Sequence, residues 1–378
     1  MRHVRKVFWI ILLLVLIYFA RPLWEEKASE YVDLGFLDKF DATVEQVANG
    51  PTVSEALEQA KQLTGEISGQ LQSFVSESSA EMPDAVEKPD LAETESLFAV
   101  HNVTLGMAKE EAQAKVGLPL RLMRNEYGAD WHSYHQNYQN YVLLSYDQNG
   151  KVNGMFTNQD LISSTKGLSM DSNKAEVRAA LGIPLKSLQK GNVQYILDTR
   201  EEYDVFKIDS IYVTVFYDIH EQDTVTALQV VTEDLEKQRK KIYAAPDAEL
   251  KEGFEFLLFE LTNSARIQRE LPLLKWDEAA RATARKHSED MAENRYFSHT
   301  NLAGKSPFDR MKDDGITFFV AGENLAYGQY SSIFAHEGLM NSMGHRENIV
   351  KPDFGYLGIG AAFNSDNQPY FTANFFNR

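Results

Sequence analysis

The sequence predicts an α+β protein built from more than one folded domain. Between residues 97 and 235, a short helical pattern followed by strand-like segments occurs twice. In the last third of the chain, helical patterns come first and two strand-like segments close the sequence. A chain of 378 residues is long enough for two or three domains. Because each repeated unit joins a helix to antiparallel strands, we assign the class α+β.

Residues 1–24 are predicted to be a membrane anchor. The basic residues Arg2, Arg5 and Lys6 precede an unbroken apolar run over residues 7–20. This order is typical of an export signal whose positive end stays inside the cell. The bulky end of the run offers no small-x-small cleavage site, which favours an uncleaved, single-pass anchor in the cell membrane. Secretion after signal cleavage is the alternative.

Residues 25–96 are interpreted as an acidic stalk or linker. Between residues 41 and 100 the sequence has twelve Asp or Glu residues and two Lys. Apolar residues recur at helical spacing over positions 53–74, although two glycines there weaken the helix. We expect one amphipathic helix in a segment that holds the folded part away from the membrane. A coiled-coil pairing surface is the alternative.

Residues 97–235 contain an internal repeat. Residues 105–120 resemble residues 170–185 at an offset of 65, and in each copy Gly and Pro follow a helical pattern as stop signals. Asn149-Gly150 is a hairpin-turn signal between two predicted strands. The pattern therefore predicts a two-repeat α+β domain, with strands expected over 141–147, 152–157, 211–218 and 225–232.

An aromatic and histidine cluster lies within the first repeat. Such a cluster can bind a sugar or a peptide by stacking. The alternative, which we favour, is that the aromatic rings pack in the core and at a strand edge while the histidines are exposed. The residues are Trp131, His132, Tyr134, His135, Tyr138 and Tyr141.

Composition excludes two classes of chemistry. The net charge is −17, which argues against nucleic acid as a partner because phosphate binding needs clustered Lys and Arg. The chain has no cysteine, so structural disulfides and thiolate catalysis are excluded.

A charged connector at residues 236–253 leads into the C-terminal part, 254–378. An apolar helical stripe comes first, and later helices are expected from their capping residues. The signals are the N-caps Asp277 and Ser306, a helix over 331–341, and closing strands over 357–363 and 369–375.

The motifs of this C-terminal part stand in a recognisable order. They include Leu274-Lys275-Trp276-Asp277, Tyr296-Phe297-Ser298-His299, Gly322-Glu323-Asn324 and Gly344-His345-Arg346-Glu347-Asn348-Ile349. In this order they resemble the bacterial branch of the CAP superfamily, which includes cysteine-rich secretory, antigen 5 and pathogenesis-related 1 proteins. The resemblance implies a CAP-type α-β-α sandwich. The preceding repeat domain resembles the CAP-associated N-terminal domain of firmicutes.

The resemblance implies a cleft lined by two histidines and two glutamates that sometimes holds zinc. His299, Glu323 and His345 match three of these positions. Ser342 stands where the second glutamate would be, and Glu337 on the same helix could turn toward the cleft. Two imidazoles and one carboxylate can give three zinc ligands plus water, an open site that can activate water. The alternative is structural, with Glu323 accepting backbone hydrogen bonds in a glycine-containing loop.

Several readings of function stay open. The leading one is a membrane-anchored, extracytoplasmic module that binds an unknown ligand, cation or protein. The second is a metal-dependent hydrolase acting on peptide or cell-wall material, and the third is an architectural envelope or spore-surface protein. A Ser342–His345 pair is also conceivable, since residues at i and i+3 of a helix are adjacent. His287 is expected to be a core histidine and His336 to be exposed, while Arg346 and Asn348 are expected to brace the loop around His345.

Overall fold

The structure, a computed structural model, describes residues 82–378. The predicted anchor and most of the predicted stalk lie outside the described residues. The helices are α1 (Lys109–Val116), α2 (Lys174–Leu181), α3 (Glu233–Gln238), α4 (Ala248–Ile267), α5 (Glu278–Asn294), α6 (Pro307–Asp313), α7 (Ser332–Met340) and α8 (Met343–Ile349). The strands are β1 (Phe98–Val100), β2 (Arg121–Arg124), β3 (Asp130–Gln136), β4 (Gln139–Tyr146), β5 (Val152–Thr157), β6 (Ile162–Ser164), β7 (Ser187–Lys190), β8 (Val193–Ile196), β9 (Tyr203–Ile208), β10 (Ile211–Asp218), β11 (Thr224–Thr232), β12 (Lys275–Trp276), β13 (Val320–Tyr327), β14 (Tyr356–Phe363) and β15 (Pro369–Asn377).

The two repeats build one antiparallel sheet of seven strands. Its order is β2-β3-β4-β5-β11-β10-β9, so the last strand of each repeat lies at the centre and pairs with the other. The short helices α1 and α2 both end at a glycine with positive φ, Gly117 and Gly182, as the repeated Gly-x-Pro pattern predicts. The predicted α+β class and the repeat are therefore confirmed.

Both faces of this sheet are buried. Alternate residues of a strand point to opposite faces. On one face Val142 and Leu144 belong to the repeat domain's own core. On the other face Leu143 and Phe156 belong to a second core that also contains residues of the C-terminal domain, namely Leu257 and Leu261 of α4 and Ile333 and Phe334 of α7. The two domains therefore share a hydrophobic core.

Gly253 allows α4 to lie directly against the edge strand β2. A Cβ atom at position 253 would lie 2.2 Å from the carbonyl oxygen of Arg124, closer than real Cβ contacts. Glycine at this helical position is therefore required by the close approach of the two domains.

The C-terminal domain is a sandwich around a four-stranded sheet of order β12-β14-β15-β13. Helix α5 lies against one face of β14, where the Cβ positions of Gly358 and Gly360 meet its backbone. Phe254 of α4 contacts Phe363 and Phe371 on the other face. The expected α-β-α sandwich is confirmed.

Candidate functional site

Three elements bring the predicted site residues together. His299 lies in the loop that follows α5, after Arg295 ends the helix in the left-handed conformation at φ 54°. Glu323 lies in β13, and Ser342 and His345 lie at the start of α8.

A buried carboxylate holds the first imidazole. The side chain of Glu323 is 1% exposed, and its Oε1 lies 2.9 Å from Nδ1 of His299. The His299 side chain is 53% exposed, so its ring lies at an open surface while its anchor is buried. A carboxylate on Nδ1 fixes the ring orientation and leaves Nε2 for a ligand.

Arg310 of α6 makes the buried charge of Glu323 tolerable. Its Nη2 donates to Oε2 of Glu323 at 2.5 Å, and its Nη1 donates to the carbonyl oxygen of His299 at 2.7 Å. Burying a carboxylate costs free energy unless it is paired with a cation and hydrogen-bonded. Arg310 supplies the cation and donates the hydrogen bond. Arg310 was not among the predicted site residues, because an arginine in the middle of a short helix belongs to none of the motifs that predict the site.

Ser342 orients the second imidazole. Nδ1 of His345 lies 2.7 Å from Oγ of Ser342, as the i, i+3 spacing predicts, and Asn324 donates to the backbone oxygen of His345. Burial lowers the pKa of His345, and the nearby charge of His299 lowers it further. This effect of His299 on His345 indicates that the two imidazoles lie within electrostatic range of each other.

The Gly-Glu-Asn motif has glycine at position 322 because a side chain there would meet Asn348. A Cβ atom at position 322 would lie 2.8 Å from Oδ1 of Asn348. Asn348 reaches across at this point and donates to Oδ1 of Asn324 at 2.9 Å. Asn348 therefore braces the site, as expected. The expectation of a glycine-containing loop around Glu323 was wrong, because β13 is a strand of the sheet and the carboxylate binds side chains.

The repeat domain holds both ends of the segment that carries Ser342 and His345. The side chain of Asn341 donates to the carbonyl oxygen of Tyr217 at 2.9 Å and accepts from the backbone N–H of Ile219 at 3.1 Å. At the other end, Arg346 forms a salt bridge of 2.8 Å with Asp218. The position of His345 is thus fixed partly by a neighbouring domain.

Glu337 is not part of this group. Its Oε2 accepts a hydrogen bond from Oγ1 of Thr226 at 2.7 Å, on the repeat domain. Its neighbour His336 is 1% exposed, so the expectation of an exposed residue was wrong. Helix α7 packs between the two domains and buries most of both side chains.

The other histidines are mostly structural. His287 is buried, and its Nε2 lies 2.9 Å from the carbonyl oxygen of Ser298, as expected for a core histidine. Within the aromatic cluster, Trp131, Tyr134 and Tyr141 are buried, as the packing alternative predicts. His132, however, is 9% exposed, so the expectation of an exposed ring was wrong there.

The expectation of a zinc site receives no support. Over residues 82–378, no group of three or more His, Asp or Glu side chains has the arrangement needed to hold a metal ion. Both oxygens of Glu323 are already engaged, one by His299 and one by Arg310. The remaining pair of imidazoles falls short of the three protein ligands typical of an open zinc site.

Comparisons with known proteins agree with this architecture. Residues 105–242 match the family described as CAP-associated N-terminal, and residues 259–375 match the cysteine-rich secretory protein family, CAP. The chain thus contains a CAP domain that is preceded by a CAP-associated N-terminal domain.

Two Bacillus subtilis (strain 168) proteins are similar to this CAP protein. YlbC, named an uncharacterized membrane protein, is 29% identical over 292 residues, which cover 72% of this chain and 82% of YlbC. YkwD, named an uncharacterized protein, is 42% identical over 108 residues, which cover 29% of this chain and 42% of YkwD.

Two solved structures share the fold. An extracellular protein containing an SCP domain, from Bacillus anthracis str. Ames, aligns with a TM-score of 0.63 at 26% identity and covers 78% of this chain and 100% of its own. A cysteine-rich secretory protein from Staphylococcus aureus subsp. aureus Mu50 aligns with a TM-score of 0.56 at 16% identity. The alignment covers 72% of this chain and 91% of the S. aureus chain.

A relative of this CAP protein is thus named a membrane protein. Among the helices formed by residues 82–378, none combines the length and the apolar character that a membrane crossing requires. The predicted anchor precedes these residues in the chain.

Proposed function

We propose that this CAP protein is an extracytoplasmic, membrane-anchored binding module. Its ligand site is the cleft around His299 and His345, whose rings are held by Glu323 and Ser342. The observation that carries the proposal is that each imidazole is fixed through Nδ1, His299 by a buried carboxylate and His345 by a hydroxyl. Each ring therefore presents its second nitrogen in a set orientation, which suits recognition of a polar ligand.

The anchor and the outward orientation rest on two kinds of support. The basic start and apolar run of residues 1–24 have the form of a signal anchor. A relative that shares most of its length with this chain is named a membrane protein, and a structural relative is named an extracellular protein. Cell-wall material is therefore the first ligand to test.

Co-sedimentation with purified peptidoglycan tests the binding role. The full chain in detergent micelles is mixed with insoluble peptidoglycan, and the fraction in the pellet is measured. We expect the His299→Gln, His345→Gln double variant to lose at least about tenfold in affinity, because two hydrogen-bonding nitrogens change at once. Equal binding of the wild type and the double variant would remove the site from the function.

The same samples separate binding from hydrolysis. Under the hydrolase alternative, soluble fragments appear in the supernatant with the wild type and not with the double variant. Added zinc tests the metal-dependent form of that alternative, since an ion that binds the folded state raises the melting temperature by mass action. We expect no zinc-dependent shift, because the described residues form no three-ligand site. Soluble fragments released without zinc would favour a metal-independent hydrolase.

A further inference from the structure

A second cavity lies between the two domains, away from His299. Its volume is about 270 Å³, and residues of both domains line it. We call it the interdomain cavity. It is bordered by Thr226 and Asp218 of the repeat domain and by Arg269, His336, Glu337 and Arg346 of the CAP domain.

The buried wall of the interdomain cavity has unused hydrogen-bonding capacity. Nδ1 of His336 is buried and has no hydrogen-bond partner. Beside it, Glu337 is 4% exposed, and its Oε2 accepts a hydrogen bond from Thr226. Buried polar groups are normally paired, so a molecule in the cavity is needed to complete these contacts.

The cavity is lined by charges of both signs, and one of its two arginines has no salt-bridge partner among the described residues. Arg346 neutralises Asp218 in a salt bridge, and Lys88 neutralises Asp160 at the rim. Arg269 donates to the carbonyl oxygen of Ala265 and has no salt-bridge partner among residues 82–378. Glu221 is a further acid of the lining, and it is exposed as Arg269 is, so water and salt screen both charges.

The charge of Arg269 reaches the buried wall of the cavity. It opposes the rise in the pKa of Glu337 and contributes to the low pKa of His336. Burial nevertheless raises the pKa of Glu337 to about 7, with the charge of Asp218 acting in the same direction and that of Arg346 opposing it. At mildly acid pH the carboxyl group is protonated and can donate a hydrogen bond.

We propose that the interdomain cavity binds a small carboxylate, which the guanidinium of Arg269 and the carboxyl group of Glu337 hold together. A guanidinium matches a carboxylate in shape and charge. A protonated carboxyl group supplies one further donor to the same ligand. The ligand is either a free small acid or the C-terminal carboxylate of a peptide, since both present the same group.

The interdomain cavity adjoins the segment that carries His345. Arg346 and Asn341 line the cavity and also hold the two ends of the segment that carries His345. A ligand in the cavity therefore contacts the residues that position the second imidazole.

Calorimetric titration of the full chain in detergent micelles tests the proposal with three probes. Acetate represents a free acid, N-acetylglycine a peptide terminus, and N-acetylglycinamide is the matched uncharged control. We expect the two acids to bind and the amide not to bind. Tighter binding of N-acetylglycine than of acetate identifies a peptide terminus, and equal binding identifies a simple acid.

The pH dependence identifies the role of Glu337. With a pKa of about 7, its protonated fraction falls roughly thirty-fold between pH 6 and pH 8.5, and the affinity should fall by a similar factor. Glu337→Gln keeps the shape and a donor, so it should bind at pH 6 and lose this pH dependence.

Arginine variants identify the cation. Arg269→Gln should weaken acid binding at least tenfold, whereas Arg200→Gln, an exposed arginine elsewhere on the repeat domain, should leave it unchanged. Loss of binding in His345→Gln but not in Arg269→Gln would place the acid in the cleft and overturn the proposal. If neither acetate nor N-acetylglycine gave a heat of binding with the wild type, the proposal would also be overturned, and water alone would occupy the cavity.

Discussion

Arg310 carries the charge that allows Glu323 to be buried beside an imidazole. The carboxylate meets His299 on one oxygen and the guanidinium on the other, with both Arg310 and Glu323 side chains less than one-tenth exposed. The orientation of the exposed His299 ring therefore depends on a residue that does not itself face the cleft.

Arg310→Met should destabilise the protein more than the substitution of an exposed charged residue does. It leaves a buried carboxylate without its partner, which costs about 3–5 kcal/mol. Urea unfolding measures the loss, and Glu323→Gln in the same chain should recover part of it. Lys305→Met, which breaks a half-exposed pair with Asp313, is the control and should change stability by less than about 0.5 kcal/mol. Equal effects of the two changes would show that Glu323 is solvated.

Glu337 should make the protein less stable as the pH rises. The pKa of Glu337 is about 7 in the folded protein and 4.5 in the unfolded chain. As the pH rises, the carboxyl group therefore loses its proton first in the unfolded chain. The penalty begins above pH 4.5 and is complete above pH 7, at about 3 kcal/mol. Glu337→Gln should therefore stabilise the protein at pH 8 and have little effect at pH 4. A pH-independent effect in urea unfolding would contradict the burial of an ionisable group there.

At the scale of elements, the contact between α4 and β2 joins the two domains. Gly253 has no room for a side chain because the carbonyl oxygen of Arg124 lies against it. Strand β13 shows the same principle at the cleft, where Gly322 lets Asn348 approach.

Two helical glycines provide a matched test of this packing. Gly253→Ala should destabilise by about 1–3 kcal/mol, because the added methyl group overpacks the interface. Gly338→Ala on α7 has its nearest neighbour at 3.7 Å and should be neutral or stabilising by up to about 1 kcal/mol. Thermal unfolding checks both, and a stabilising Gly253→Ala would contradict the close contact.

The elements that the sequence predicts best are those with local signals. The strands β4, β5, β10 and β11 and the helices capped by Asp277 and Ser306 follow from alternation, turn residues and N-caps. Strand β13 was missed because its pairing partner, β15, lies far along the chain. His336 was misjudged because its burial depends on the other domain, which no local pattern reveals.

At the candidate site, the order of the motifs identified His299, Glu323 and His345. The residues that hold these three side chains in place could be identified only from the structure. Arg310 and the Asn341 contacts with the repeat domain join residues distant in sequence, 13 and 124 positions apart. Glu337 shares a helix with the cleft residues but faces the other way, since a helix presents its sides to different neighbours.

At the scale of the whole molecule, the shared core makes the two domains one cooperative unit. Leu143 and Phe156 of the sheet pack in one cluster with Leu257 and Phe334 of the CAP domain. Separating the domains would expose this apolar surface to water, which costs roughly 25 cal/mol per Å².

The domains should therefore unfold in a single transition. Trp131 reports on the repeat domain and Trp276 on the CAP domain. Variants that keep one of these two residues, with Trp9, Trp24 and the other tryptophan replaced by Phe, follow each domain by fluorescence. We expect coincident urea transitions, because shared burial couples the two units. Two separated midpoints would show that the interface contributes little.

Convergence of the two imidazoles is most directly tested by the pKa of His345. Burial and the charge of His299 both hold this pKa below its ordinary value of 6.5. Histidine ring resonances of the full chain, followed by NMR as the pH is changed, give the value in the wild type and in His299→Gln, with His135→Gln as the distant control. We predict that the pKa of His345 rises in His299→Gln and stays constant in the control; an unchanged value in His299→Gln would mean that the two rings do not share a site.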